Sequence, residues 1–232
     1  MLSTGVFEGP LFSVGGFTIS GSVVMTWLVM ALLALFAFFS SRRLEKEPGS
    51  VQVVLEGIVM TMEGVIEAVI PGRAQLVFPF ISTLWIFVFV ANMIGLIPGL
   101  SSPTSDLSVT AALAILVFLS VHWFGVRAEG WKNYLRHYLT PSPFMLPFHL
   151  MSEISRTLAL AIRLFGNIMS LEIAAVLVLM VAGFLVPVPI LMLHIVEGVI
   201  QAYIFGMLAL IYIAGGIQSQ ELRQEKERGG SR

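Results

Sequence analysis

The residues of this chain that could do chemistry are polar and charged side chains placed inside long apolar runs. Arg163 stands in one such run, and Glu172 follows it in the same run. A charge held inside a bilayer costs roughly 2.5 kcal/mol or more unless it faces a cavity, a partner or another subunit. Arg163 is therefore a candidate functional residue. The alternative is an arginine that reaches the lipid head groups or closes a structural ion pair.

Helical periodicity sorts the polar residues of this region into faces. One face carries four of them at separations near whole turns: Arg156, Arg163, Asn167 and Ser170. Glu172 lies about two and a half turns beyond Arg163 and so points to the opposite side. A later apolar run carries three more polar residues, at spacings of three and four: His194, Glu197 and Gln201.

These two runs are predicted to form an antiparallel hairpin centred near Gly183. In that register Glu172 lies level with His194, and Arg163 lies level with Gln201. Glutamate and histidine can exchange protons near neutral pH, whereas arginine stays charged. A proton-accessible pocket beside a fixed cation is therefore predicted. The alternative is that the titratable groups only satisfy one another inside a closely packed bundle.

Composition places the chain among polytopic membrane proteins. Of its 232 residues, 57% are hydrophobic and only 12% are charged, and the mean hydropathy is +0.92. Globular domains carry about 25% charged residues. The absence of cysteine excludes disulfides and thiolate metal sites. No Walker-type phosphate loop is present, so the chain is not expected to hydrolyse ATP by itself. No metal, cofactor or nucleic-acid partner is expected.

Hydropathy predicts an all-α integral membrane protein that forms a single domain. About five transmembrane helices, the last two forming a long tilted hairpin, are predicted at 22–39, 76–97, 107–124, 148–186 and 190–214. The pattern at 148–186 would be about 55–60 Å long as one helix, so it must tilt strongly or break. Residues 1–21 lack the basic start of a cleavable signal, so the first span is expected to stay in the mature chain.

Segment 51–70 has a different pattern. Its three charged residues share one helical face with Gln52; they are Glu56, Glu63 and Glu67. This pattern predicts an amphipathic surface helix in the cytoplasmic interface, or one packed on a partner's basic side chains. A simply solvated face is the alternative. The charged residues 218–232 are predicted to form a disordered cytoplasmic tail.

Basic residues set the predicted orientation. Arg42, Arg43 and Lys46 follow the first span, and the tail is also basic, whereas the loop at 98–106 has no Lys or Arg. The positive-inside rule therefore places the N-terminus outside and the C-terminus in the cytoplasm.

Five motifs then carry a specific resemblance, in this order along the chain: Asn92-Met-Ile-Gly-Leu-Ile-Pro98, Pro103-Thr-Ser-Asp-Leu-Ser-Val-Thr110, Arg163-Leu-Phe-Gly-Asn167, Glu172, and His194-x6-Gln201-Ala-Tyr-Ile-Phe-x6-Tyr212. The chain resembles subunit a of the membrane sector of bacterial F-type ATP synthases, most strongly over 76–215. Its start is more similar to the alternate, separately encoded synthases of some bacteria, several of which look sodium-coupled.

The resemblance implies a non-catalytic stator subunit with two offset proton or sodium half-channels, beside a rotating ring of c subunits. It also implies b-type peripheral stalk subunits and the rest of the FoF1 complex as partners, in the bacterial inner membrane. Arg163 matches the essential arginine of the family and Gln201 its partner on the last helix. Glu172 and His194 match the external half-channel.

Three further positions bear on the same resemblance. Asn167 matches a polar channel position. Glu197 has no general acidic counterpart in the family, so it would add a proton relay or a counter-charge. Thr157 stands where many members have proline.

Two rival functions remain open at this point. One is a self-contained ion channel or secondary transporter, although neither the inverted repeats nor the broken helices of many transporters are visible here. The other is a purely structural scaffold for other membrane subunits.

Overall fold

The computed structural model of the chain describes residues 10–14, 17–42, 49–97, 100–130, 146–182 and 188–229. Within these ranges a short hairpin precedes six long helices. Strand β1 (Pro10–Val14) pairs antiparallel with β2 (Phe17–Ser20), with Val14 opposite Phe17. The helices are α1 (Gly21–Arg42), α2 (Ser50–Val69), α3 (Ala74–Ile94), α4 (Leu107–Glu129), α5 (Leu146–Ala182) and α6 (Val188–Gly229). A 3₁₀ turn, Pro103–Ser105, lies between α3 and α4.

Five of these helices are long and apolar enough to cross a membrane. The candidate spans are Gly21–Arg42, Ala74–Ile94, Leu107–Ala128, Pro147–Val181 and Pro189–Ile217. The remaining long helix of the described ranges is α2, which carries three glutamates. The predicted all-α integral membrane protein, with five spans and one amphipathic helix, is therefore confirmed. Sequence patterns did not predict the β1–β2 hairpin.

Helix α5 resolves the choice between a tilted and a broken segment. It runs for 37 residues without interruption, which is about 55 Å. Because the hydrocarbon core is about 30 Å thick, a helix of this length must tilt strongly to remain within it. Most of the predicted turn at 183–189 lies outside the described residues, as does most of the proline-rich stretch at 141–147.

The predicted disordered tail is wrong for most of its length. The backbone of α6 stays helical to Gly229. Residues 218–229 are mainly glutamine, glutamate, arginine, lysine and leucine, which are good helix formers. Because they extend an existing helix, they avoid the cost of nucleating a new one.

The core lies where α6 packs against α3, α4 and α5. The inward residues of α6 recur at helical spacings and are almost completely buried: Ala202, Phe205, Ala209, Leu210 and Ile213. Val88 of α3 and Leu164 of α5 are fully buried against the same cluster. This core holds the polar segments of α5 and α6 in a fixed register.

Helices α3 and α6 pack closely around Trp85. The Trp85 ring stacks on the Tyr203 ring, with centroids 6.1 Å apart and an interplanar angle of 3°. The Trp85 Nε1–H also donates to the Tyr203 carbonyl oxygen at 3.2 Å. One turn later, a Cβ added at Gly206 would overlap the indole ring itself. Only glycine leaves room for this contact.

We therefore expect Gly206→Ala to destabilise the bundle. Overpacking a well-filled core costs about 1–3 kcal/mol, and the rigid indole cannot swing away without losing its hydrogen bond to Tyr203. The measurement is the free energy of unfolding of the purified chain in detergent. The matched control is Gly215→Ala on the same helix, where an added Cβ meets nothing within 4 Å. Equal stability of the two variants would contradict the prediction.

Candidate functional site

The candidate cation lies on the outer face of the bundle. Arg163 is exposed, as are Arg156 and Ser170, which share its face of α5. Within the described ranges no hydrogen bond or ion pair holds the Arg163 guanidinium. Arg156 instead lies over the ring of Tyr212 on α6, 5.7 Å from its centroid. The structural ion pair considered as an alternative for Arg163 is therefore not formed among the described residues.

An amide pair joins α5 to α6 one turn beyond Arg163. The Asn167 Nδ2–H donates to Gln201 Oε1 at 2.7 Å. Gln201 is only 2% exposed, and its Nε2 has no acceptor in the part of the chain that the structure describes. The register had placed Gln201 level with Arg163, but its hydrogen bond is made to Asn167. Arg163 is exposed and makes no hydrogen bond to Gln201 within the described ranges.

Glu172 and His194 meet around Gly95, in the connection that follows α3. A Cβ at Gly95 would lie 3.1 Å from Glu172 Oε1, 3.5 Å from His194 Cε1 and 3.0 Å from Ser102 Cβ. The Ser102 backbone N–H donates to Glu172 Oε1 at 2.9 Å. His194 is 2% exposed, and its Nε2 lacks a partner among the described residues. Glu172 and His194 thus lie together, as the hairpin register predicted.

Buried hydroxyls connect this carboxylate to the interior. Thr104 Oγ1 donates to Asn92 Oδ1 at 2.7 Å, and Asn92 Nδ2 donates to the Gly198 carbonyl oxygen at 3.1 Å. Ser102 Oγ lies 2.8 Å from the Ala91 carbonyl oxygen and 2.7 Å from Thr104 Oγ1. The hydroxyl hydrogens of Ser102 and Thr104 must serve three acceptors. These are the Ala91 carbonyl oxygen, Asn92 Oδ1 and the oxygen of the other hydroxyl. The hydrogens of this network can therefore be rearranged without moving heavy atoms.

A polar cavity adjoins this network. Its volume is about 280 Å³, and its polar walls are Ser22, Ser101, Ser105 and Asp106. Ser101 directly precedes the residue whose N–H holds Glu172. We call Glu172, His194, Gly95 and Ser102 the Glu172 cluster. The cavity therefore lies beside the Glu172 cluster, at the end of the bundle where α1 begins.

Asp106 supplies a fixed charge to the cavity wall. Its Oδ1 accepts from the Ser108 N–H at 2.8 Å and from Ser108 Oγ at 2.6 Å, which caps α4. Burial opposes the charged form, but hydrogen bonds from Ser108 and Ser22 outweigh it and lower the pKa of Asp106 below its usual value. Asp106 is therefore an anion at neutral pH.

Sequence reasoning found some of these residues and missed others. Asn92 and Thr104 were recognised only as parts of motifs, without a role, and Gly95 and Ser102 were not singled out. The available signal was a lone asparagine inside an apolar run followed by a loop rich in hydroxyl residues. Glu197 is half-buried, and no hydrogen bond within the described ranges joins it to the Glu172 cluster.

Comparison with known proteins points to one family. Residues 23–214 match the protein family described as ATP synthase A chain. The chain is 61% identical over 217 residues to ATP synthase subunit a of Legionella pneumophila (strain Paris), covering 93% of this chain and 94% of that protein. It is 60% identical over 214 residues to ATP synthase subunit a 2 of Pelobacter propionicus, covering 92% and 94% of the two chains.

A more distant relative carries the same name. ATP synthase subunit a of Nitrosospira multiformis is 42% identical over 198 residues, covering 84% of this chain and 79% of that protein. The matched region contains the Glu172 cluster, the amide pair and Arg163. The chain therefore belongs to the ATP synthase subunit a family, the non-catalytic, multi-pass membrane subunits of the Fo sector.

Proposed function

We propose that this chain is the stator that forms two offset proton half-channels beside a rotating ring of c subunits. The observation that carries the proposal is the separation of two kinds of group on the hairpin. A permanently charged arginine faces outward from α5, while two titratable groups, Glu172 and His194, meet inside the bundle. Between these sites lies the Asn167–Gln201 pair.

The external half-channel begins at the polar cavity. The end of the bundle that holds the start of α1 faces outside, because basic residues follow the other end of that helix. A proton enters past Asp106 and reaches the Glu172 carboxylate, which is held by the Ser102 N–H. It then passes to His194, whose buried Nε2 can accept it, and continues past Glu197 one turn deeper on α6.

Arg163 separates this path from the cytoplasmic one. A proton from the external side neutralises a ring carboxylate, and a neutral site can rotate into lipid at much lower cost than an ionised one. On returning to Arg163, the ring carboxylate gives up its proton, because the guanidinium stabilises its charged form. The same fixed charge repels a proton that would cross directly between the half-channels.

The energy scale requires several protons for each ATP. A potential of 100 mV supplies about 2.3 kcal/mol for each elementary charge that crosses the membrane. The chain itself stores none of this energy and catalyses no bond formation. Its function is to make proton transfer depend on rotation of the ring.

The chemistry of the Glu172 cluster favours protons over sodium ions as the cargo. A hard cation needs several oxygen ligands around it. The nearby oxygens of Ser102, Thr104 and Asn92 are hydrogen-bonded to one another. The carboxylate of Glu172 lies beside an imidazole, which exchanges protons near neutral pH.

The other partners follow from the proposed role. They are the c ring, the b-type peripheral stalk subunits and the remaining FoF1 subunits, assembled in the inner membrane of a bacterium with this chain's C-terminus in the cytoplasm. Helix α2 lies along the cytoplasmic interface. Its apolar residues Val54 and Ile58, one turn apart on the side away from the glutamates, are 61% and 44% exposed, which suits contact with lipid.

The proposal predicts that the chain alone does not conduct protons. Liposomes containing only the purified chain should show no flux above that of empty liposomes when a pH gradient is imposed. Liposomes containing the complete Fo sector should conduct, because the ring supplies the carboxylate that carries each proton between half-channels. Gated, saturable flux through the isolated chain would instead establish the self-contained channel.

A further inference from the structure

A second titratable pair lies far from the Glu172 cluster, between α4 and α5. His122 Nε2 is 3.5 Å from Glu153 Oε2, and the two side chains are 31% and 22% exposed. The other ring nitrogen, Nδ1, lies 2.9 Å from the Phe118 carbonyl oxygen. Glu153 precedes Arg163 by ten residues on the same helix, which is about 15 Å along its axis. Glu172 follows Arg163 on the same helix, so Arg163 lies between the two glutamates along the axis of α5.

The hydrogen bonds of His122 determine where its protons are. A carbonyl oxygen can only accept, so Nδ1 must carry a hydrogen. The nitrogen that faces Glu153 is then the one that gains or loses a proton. At 3.5 Å Nε2 and Oε2 are at ion-pair distance rather than in a hydrogen bond. An attractive contact between them needs one proton, either on the imidazole or on the carboxyl group. The pair is therefore built to hold and release a single proton.

Three charged or titratable groups lie near the pair in sequence on the same two helices, and they bear on its titration. On α5 these are His149, one turn before Glu153, and Arg156, which lies over Tyr212 of α6. On α4 Arg127 follows in the last turn. The Glu153 carbonyl oxygen also accepts from Thr157 Oγ1 at 2.9 Å, so the backbone of this turn is well held.

The outer face of α5 offers a route from Arg163 to this pair. The exposed residues Ser152, Ser155 and Ala159 lie at spacings of three and four and lead toward Arg163. They are small, so they leave room for water between α5 and a neighbouring rotor. By the proposed orientation this end of the bundle faces the cytoplasm, whereas Glu172 faces outside.

We propose that the His122–Glu153 pair is the proton-release group of the cytoplasmic half-channel. A ring carboxylic acid loses its proton beside Arg163 and becomes a carboxylate. Water carries that proton to the pair, whose net charge changes from minus one to zero. The pair then releases the proton to the cytoplasm and returns to its anionic form. This assignment rests on the proposed function and adds two residues to it.

The test uses inverted membrane vesicles from cells that assemble the complete synthase, stripped of their F1 sector. Their outer surface is the cytoplasmic one, so its pH can be set by the buffer. Passive proton conductance should rise with cytoplasmic pH in the wild type, because release requires the deprotonated pair. Glu153→Gln and His122→Gln should each lower conductance at least five-fold and remove its dependence on cytoplasmic pH. The dependence on luminal pH should not change.

Three further variants make the result decisive. Glu153→Asp keeps a carboxylate and should keep the pH profile, while Glu63→Gln on α2 controls for loss of a glutamate elsewhere. If Glu153→Gln fails to assemble, His122→Gln and Glu153→Asp still report the profile. Wild-type conductance and cytoplasmic pH dependence in His122→Gln would overturn the assignment. Glu172→Gln in the same vesicles separates the hypotheses, since normal conductance there would contradict the proposed function itself.

Discussion

Replacing Arg163 with alanine should abolish ATP-driven proton pumping. The guanidinium is exposed on α5 and, within the described ranges, no acid neutralises it, so its charge is available to a ring carboxylate. Without that charge, nothing stabilises the ionised form of a ring carboxylate as it returns to α5. Protons can then also cross directly between the two half-channels. The measurement is quenching of a pH-sensitive dye in inverted vesicles after ATP addition. A passive proton leak through the assembled Fo sector should accompany the loss.

Arg163→Lys should fail as well, although it retains a positive charge in the same place. A lysine ammonium loses its proton more readily when desolvated, and it lacks the planar guanidinium fork. The matched control is Arg42→Gln at the end of α1, where the arginine lies over the Phe38 ring and should be dispensable for pumping. Near-normal pumping in Arg163→Lys would mean that charge alone suffices. Near-normal pumping in Arg163→Ala would contradict the proposed function.

Replacing Glu172 with glutamine should lower ATP synthesis by about 100-fold, near the lower limit for loss of an acid–base group. Glutamine keeps an oxygen that can accept from the Ser102 N–H, so the α3–α4 connection should remain in place. What disappears is the carboxylate that lies with His194 around Gly95. Synthesis is measured in liposomes containing the whole complex, driven by an imposed pH gradient.

The result for Glu172 can be separated from a structural defect. Glu172→Asp keeps an acid, withdrawn by one methylene, and should recover part of the activity. Glu63→Gln removes an exposed glutamate from α2 and should leave synthesis unchanged. ATP synthesis within two-fold of the wild type in Glu172→Gln would show that protons reach the ring by another route.

The five membrane spans were predictable because each depends on a local property. A run of about 20 apolar residues is long enough to cross a bilayer, whatever it packs against. Helical periodicity likewise placed Arg156, Arg163, Asn167 and Ser170 on one face, since 3.6 residues per turn is a property of the helix itself. Three of the four are exposed, whereas Asn167 is half-buried and bonds to Gln201. The helical continuation of α6 to Gly229 was missed, because its charged composition was interpreted as disorder.

The chain's amino-acid order by itself determined which residues carry charge into the bilayer and which helix faces they occupy. The hairpin register also predicted that Glu172 and His194 meet, but only the tertiary structure decided the other contacts. Gln201 makes its hydrogen bond to Asn167, whereas the Arg163 side chain is exposed. Ser102 holds a carboxylate 70 residues away, and His122 reaches Glu153 across a helix interface. Such contacts depend on how helices pack, and no periodicity within a single helix encodes them.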